Sequence, residues 1–134
     1  MTYHARFETL APWALRPTIR AQVWRPESQY EIPSFLQNSP GGVLARGAGT
    51  AYGDSCVNPG GYHLNTVRLN KFITFDVTSG RLVCQAGTTL GEIIDVVLPH
   101  GWFLKVSPGT TLSTVGGCFA CDVHGKNHHI HGSF

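Results

Sequence analysis

"DVHGKNHHIHG", residues 122–132, places four histidines, a lysine, an asparagine and an aspartate in eleven positions. Cys118 and Cys121 stand just upstream. Cys118, Cys121, His124, His128, His129 and His131 are all side chains that can ligate a metal. Their spacing argues against it. Zinc-finger ligand pairs are separated by roughly a dozen residues or more, so that the chain can fold back around the ion. Here two residues separate Cys121 from His124, and a helix over 118–124 would bring Cys118, Cys121 and His124 only loosely to one face. Asp122 follows the cysteine pair, which excludes a c-type haem attachment. The pair interrupts an apolar stretch, as small buried thiols do. A second chemistry rests on His124, Lys126 and Asn127: positive charge beside a substrate oxygen, or a proton moved to or from it. From the letters alone a solvated polar loop is the plainer reading.

Upstream lie two glycine loops. A strand is expected at 42–47, running directly into the glycine loop "ARGAGTAYGD", residues 45–54. Gly47, Gly49 and Gly53 let backbone N–H groups turn inward and cradle phosphate oxygens. Arg46 is placed to support such a cradle or to face water. The spacing is neither G-x-G-x-x-G nor G-x-x-x-x-G-K-[ST], which excludes a Rossmann or P-loop fingerprint. A surface turn is the alternative. "PGTTLSTVGG", residues 108–117, is the second loop. The two could face one elongated ligand with a diphosphate at its middle.

The rest of the chain reads as short strands and capped helices. A strand is expected at 21–26. Ser28 and Glu31 form a capping box ahead of a short helix that carries Pro33 early and breaks at "NSPGG", 38–42. Residues 71–87 read as a hairpin in which Ile73, Phe75 and Val77 alternate with polar residues. Thr89 and Glu92 form a second capping box, opening a helix with Leu90, Ile93, Ile94, Val97 and Leu98 on one face, ended by Pro99 and Gly101. A strand is expected at 102–106 and a short helix over 114–122. Residues 1–19 show no clear period and read as a loose arm.

The 134 residues suffice for one domain with a modest core. Sixteen glycines favour tight turns over long helices. A net charge of +2 gives no ground for nucleic acid or an anionic membrane as partner. The N-terminus lacks a signal-peptide apolar run, and no stretch has the length of a transmembrane helix. The expectation is a cytoplasmic protein whose four cysteines are thiols.

Taken together, "ARGAGTAYGD", "AGTTLGEIIDVVLPHGWFLKVSPGTTLSTVGGCFACDVHGKNHH" and "GSF" resemble the N-terminal half of the FAD-binding domain of the vanillyl-alcohol-oxidase/PCMH flavoprotein family. The likeness spans roughly residues 20–134, and the D-[IV]-H-G-K-N-H-H run is its most specific part. It implies an α+β fold: the N-terminal part of a PCMH-type domain, a small β-sheet with flanking helices, truncated at its C-terminal side, with 1–19 as an arm and 20–134 as the domain. It implies FAD as cofactor. Ala45, Arg46, Gly47, Ala48, Gly49, Thr50, Ala51, Tyr52, Gly53, Asp54 and Ser55 would hold its diphosphate, and Gly109, Thr114, Val115, Gly116 and Gly117 would meet the same cofactor. His124 would lie at the flavin and Lys126 on the substrate side of its ring. His128, His129 and His131 need not be ligands, and no metal is implied. Covalent members carry a histidine near the position of Thr50, so the FAD is expected to be non-covalent.

Within the family, the resemblance points to members that oxidise the ribose of a polyprenyl-phosphate sugar to a 2′-keto sugar, passing hydride to flavin N5. These work with a reductase that completes an epimerisation, and act in the cytoplasm or peripherally at the inner membrane. They are several times longer than this chain. Alone, the chain is therefore expected to bind FAD weakly and to lack turnover. A catalytically incomplete FAD or diphosphate-binding module, or a small Cys/His metal domain, are the alternatives.

Overall fold

The computed structural model describes residues 4–134; Met1, Thr2 and Tyr3, part of the expected arm, lie outside the described residues. The chain forms two compact units, Met1–Leu69 and Asn70–Phe134, where the sequence suggests one domain.

The first unit is built on a four-stranded sheet of order β1-β2-β4-β3: β1 Arg6–Leu10, β2 Ile19–Trp24, β3 Val43–Arg46 and β4 Tyr62–Asn65. β4 runs parallel to both its neighbours, and β1 closes the edge antiparallel to β2. Strands of this kind are apolar on both faces because both are covered. Leu10, Ala21 and Val23 pack with Val57 on one side. Trp24 and Leu64 pack with Phe35 of helix α1 (Ile32–Asn38) on the other, the Trp24 and Phe35 rings stacked at 4.3 Å. Residues 6–10 are thus a paired strand within the expected loose arm. Their charged letters are those of an edge strand, and Glu8 makes a two-pronged ion pair with Arg25, which holds its carboxyl below the usual carboxylate range.

Ser28 and Glu31 form the expected capping box, closing a single helical turn that leads into α1. Pro33 falls in the first turn of α1, where its missing N–H leaves no bond unmade.

The second unit joins the hairpin β5 (Phe72–Asp76) and β6 (Arg81–Cys84) to helix α2 (Leu90–Val97). Thr89 and Glu92 cap α2 reciprocally, Glu92 accepting the Thr89 N–H at 2.7 Å. Leu90, Ile93 and Val97 are buried together with Cys118, and Phe75, Leu82 and Val115 pack against them. Gly101 ends the helix in the left-handed conformation, as a C-terminal glycine commonly does. The hairpin departs from strict alternation: the register shifts between Phe72 and Thr74, so Phe75 packs inward while Ile73 and Val77 stay exposed.

The strand expected at 102–106 is absent. Its residues are used one at a time. Trp102 donates its indole N–H to the Val77 carbonyl at 2.8 Å and lays its ring over Gly80, while Val106 alone is buried. The short helices α3 (Val115–Ala120) and α4 (His128–His131) complete the unit. No helix among the described residues is long and apolar enough to cross a membrane.

Candidate FAD-binding site

β3 runs directly into the loop 47–57. Gly49 has φ +76°, a left-handed residue of the kind from which anion-binding concavities are built. Among the described residues, no acceptor meets the N–H of Gly47, Ala48 or Gly49. A Cβ at Gly53 would enter open space, and Tyr52 is exposed. A run of unspent, accessible donors is what a polyanionic group requires. The loop residues therefore fit an FAD diphosphate.

Arg46 neither faces water nor reaches into that space. Its side chain is buried, donating to the Ala11 carbonyl at 2.7 Å, the Cys56 carbonyl at 2.7 Å and the Cys56 Sγ at 3.1 Å. The guanidinium fits because Gly49 has no side chain: a Cβ there would stand 2.1 Å from Arg46 Nη2. Arg46 is the strut of the loop. Thr50, Ala51, Asp54 and Ser55 continue the loop's course; Ala51 accepts the Trp13 N–H at 3.0 Å and Asp54–Cys56 make one helical turn.

In the second unit, Thr114 caps α3 and is buried. The backbone donors that follow are spent inside the protein: Val115 on the Thr88 carbonyl at 2.9 Å, Gly116 on the Ala86 carbonyl at 2.8 Å, Gly117 on the Thr114 hydroxyl at 3.4 Å. The glycines here serve the protein's own packing: a Cβ at Gly116 would stand 3.0 Å from the Ala86 Cβ, and one at Gly117 3.2 Å from the Thr114 hydroxyl. Gly109 is different, exposed with open space where a Cβ would be.

Gly109 also lines a cavity of about 620 Å³ with Ser107, Pro108, His124, Gly125, Lys126, Asn127 and His128. The 124–128 segment lies against 105–107. Asn127 donates its amide to the Lys105 carbonyl at 3.0 Å, and a Cβ at Gly125 would stand 2.6 Å from the Ser107 carbonyl oxygen. The imidazoles are oriented by backbone: His124 Nδ1 lies 3.0 Å from the Asp122 carbonyl, His128 Nδ1 3.0 Å from the Gly125 carbonyl. A carbonyl only accepts, so both Nδ1 atoms carry protons and both Nε2 atoms keep lone pairs when the rings are neutral. The two rings are 5.0 Å apart. Gly125→Ala is therefore expected to push this segment off Ser107 and destabilise the unit by roughly 1–3 kcal/mol, read as a shift of the urea midpoint together with changed His124 and His128 imidazole signals.

Cys118 is fully buried, and burial pushes its thiol up to about 11. Cys121 is exposed. Among the described residues no group of three or more His, Cys, Asp or Glu side chains is arranged to hold a metal ion. The sequence reading missed His63, Asn58 and Ser107, and took Pro108 only as the first residue of the 108–117 loop. The "NPGG" turn at 58–61 was the only local signal for Asn58, and His63 had none.

The family model described as FAD binding domain matches residues 21–134. The chain belongs to the FAD binding domain family. Relatives of this FAD binding domain include the decaprenylphosphoryl-β-D-ribose oxidase of Mycolicibacterium smegmatis, 44% identical over 93 residues, a stretch covering 69% of this chain and 20% of that one. The D-lactate dehydrogenase of Archaeoglobus fulgidus is 28% identical over 127 residues, covering 90% of this chain and 28% of that one. Among solved structures, a cholesterol oxidase from Brevibacterium sterolicum shares the fold with a TM-score of 0.76 at 16% identity, over 92% of this chain and 25% of that one. The domain thus spans between a fifth and three-tenths of the length of these proteins.

Proposed function

We propose that this chain is the FAD-binding portion of a flavin-dependent oxidoreductase that oxidises an alcohol carbon of a sugar, in the manner of a decaprenylphosphoryl-ribose 2′-oxidase. The observation that carries the proposal is the 44% identity to such an oxidase across 93 residues of a chain in the FAD binding domain family. Bound FAD supplies a hydride acceptor at flavin N5. The protein's part is position and charge. The 45–55 loop holds the diphosphate through the N–H groups of Gly47, Ala48 and Gly49, with Arg46 fixing their course. Gly109 and the 114–117 backbone pack against the cofactor. His124 stands at the flavin and Lys126 places a cation on the substrate side. The substrate class is a polyprenyl-phosphate sugar or a related sugar, met in the cytoplasm or at the inner membrane face, with a reductase as functional partner.

A second reading is a binding module without catalysis of its own. Both readings expect FAD to be held without a covalent bond, since Thr50 offers no imidazole. The FAD-loaded chain, precipitated with acid, is expected to release all its flavin to the supernatant. The chain alone is expected to leave alcohol substrates unoxidised. Flavin retained in the pellet contradicts the first expectation, and oxidation at flavoenzyme rates contradicts the second.

A further inference from the structure

The 54–58 segment, by which the FAD loop returns to the sheet, is held at two points. Arg46 holds the Cys56 carbonyl, and His63 Nε2 accepts the Asn58 N–H at 3.0 Å. His63 lies in β4, paired with Leu44 of β3 and Val23 of β2, and is fully buried. Because Nε2 accepts, the imidazole is neutral with its proton on Nδ1, and among the described residues Nδ1 finds no partner. A buried donor left without an acceptor is unfavourable, and packing alone would be served by leucine. We propose that His63 is a positioning residue for the cofactor loop, its neutral imidazole clipping Asn58 to the sheet so that protonation of His63 loosens the loop and releases FAD. The FAD part of this inference rests on the function proposed above.

β1 places Arg6 and Glu8 on this face of the sheet, in register with Val23 and Ala21 of β2, and Glu8 is ion-paired to Arg25. Arg46 comes from β3 and the Cys56 thiol, itself bonded to Arg46, from the 54–56 turn. β2 contributes Ala21 and Val23. Protonation would set an Nε2–H donor against the Asn58 N–H and a second cation near Arg46. Burial first, then Arg46, already holds the His63 imidazole below the ordinary value of 6.5. The sign follows. The clip is intact above pH 6.5, where His63 is neutral in both closed and open loop. Below 6.5 the open loop binds the proton first, and affinity falls until the closed loop is protonated too.

The test is FAD affinity, by flavin fluorescence, from pH 5 to 8 for the wild-type chain, His63→Gln and His63→Leu. The wild type is expected to lose up to about tenfold in affinity per pH unit below 6.5. Gln Oε1 can accept the Asn58 N–H without titrating, so His63→Gln should keep the neutral-pH affinity within a few-fold and lose the acid dependence. His63→Leu should bind weakly at every pH. An acid loss in His63→Gln equal to that of the wild type overturns the proposal, since other histidines then carry it. Absence of FAD binding at neutral pH overturns the functional reading and, with it, the cofactor role. The clip itself is read without FAD, by ¹⁵N NMR of the wild-type chain: the Asn58 amide signal should move with the His63 titration. An Asn58 amide indifferent to that titration, or an Nε2–H tautomer at neutral pH, overturns the clip.

Discussion

Arg46→Ala is expected to destabilise the first unit by about 3–5 kcal/mol and to weaken FAD binding at least tenfold. Two charge-assisted hydrogen bonds disappear, to Ala11 and to Cys56, and both half-buried carbonyls lose their donor. Each such bond contributes roughly 1.5–3 kcal/mol. The loss falls on the loop whose unspent N–H groups are proposed to hold the diphosphate, so binding and stability are expected to fall together. Arg46→Lys should recover only part of either. A lysine ammonium is a point donor and lacks the planar fork that spans two carbonyls. Urea midpoints and FAD titrations on the three chains check this. An Arg46→Ala chain within about 1 kcal/mol of wild type would show that the loop does not hang on the guanidinium.

Leu90→Ala is expected to cost the second unit about 2–5 kcal/mol. Leu90 is the first residue of α2 and 1% exposed, packed with Ile93, Val97 and Cys118. Truncation removes buried methyl groups and leaves a cavity that a capped helix cannot close by moving inward. Set against a total stability of roughly 5–15 kcal/mol, the change is large. Leu98 was read from the sequence as part of the same stripe, yet it is 55% exposed in the turn that ends the helix. Leu98→Ala should shift stability by no more than about 0.5 kcal/mol. The pair is compared by urea unfolding, followed through amide exchange in α2. Equal effects at the two positions would contradict the assignment of the buried face.

What could be read from the sequence had local causes. Both capping boxes were legible because the Ser28–Glu31 and Thr89–Glu92 contacts are made within four residues. The α2 stripe was legible for the same reason, except at Leu98, where Pro99 turns the chain out of the helical period. What could not be read depends on distant partners. β1 has the charged letters of an arm because it is an edge strand, and its pairing with β2 is decided across the sheet. The 102–106 segment has strand letters and no strand beside it. The loop glycines were visible, but their reason was not. Gly49 is required both by its left-handed φ and by a guanidinium whose side chain was expected at phosphates or in water. The cavity-lining histidines were visible as a cluster. Their Nδ1–H state depends on the Asp122 and Gly125 carbonyls, which only the folded backbone places. His63 carried no motif at all.

The most direct measurement is a fluorescence titration of FAD with the purified chain at neutral pH, run in parallel with Arg46→Ala. The expected result is saturable binding by the wild-type chain and at least tenfold weaker binding by the variant, with the free energy lost at Arg46 appearing in the loop that meets the cofactor. No saturable binding, or equal affinities in the two chains, would contradict the claim that the 45–55 loop is a cofactor cradle held open by Arg46.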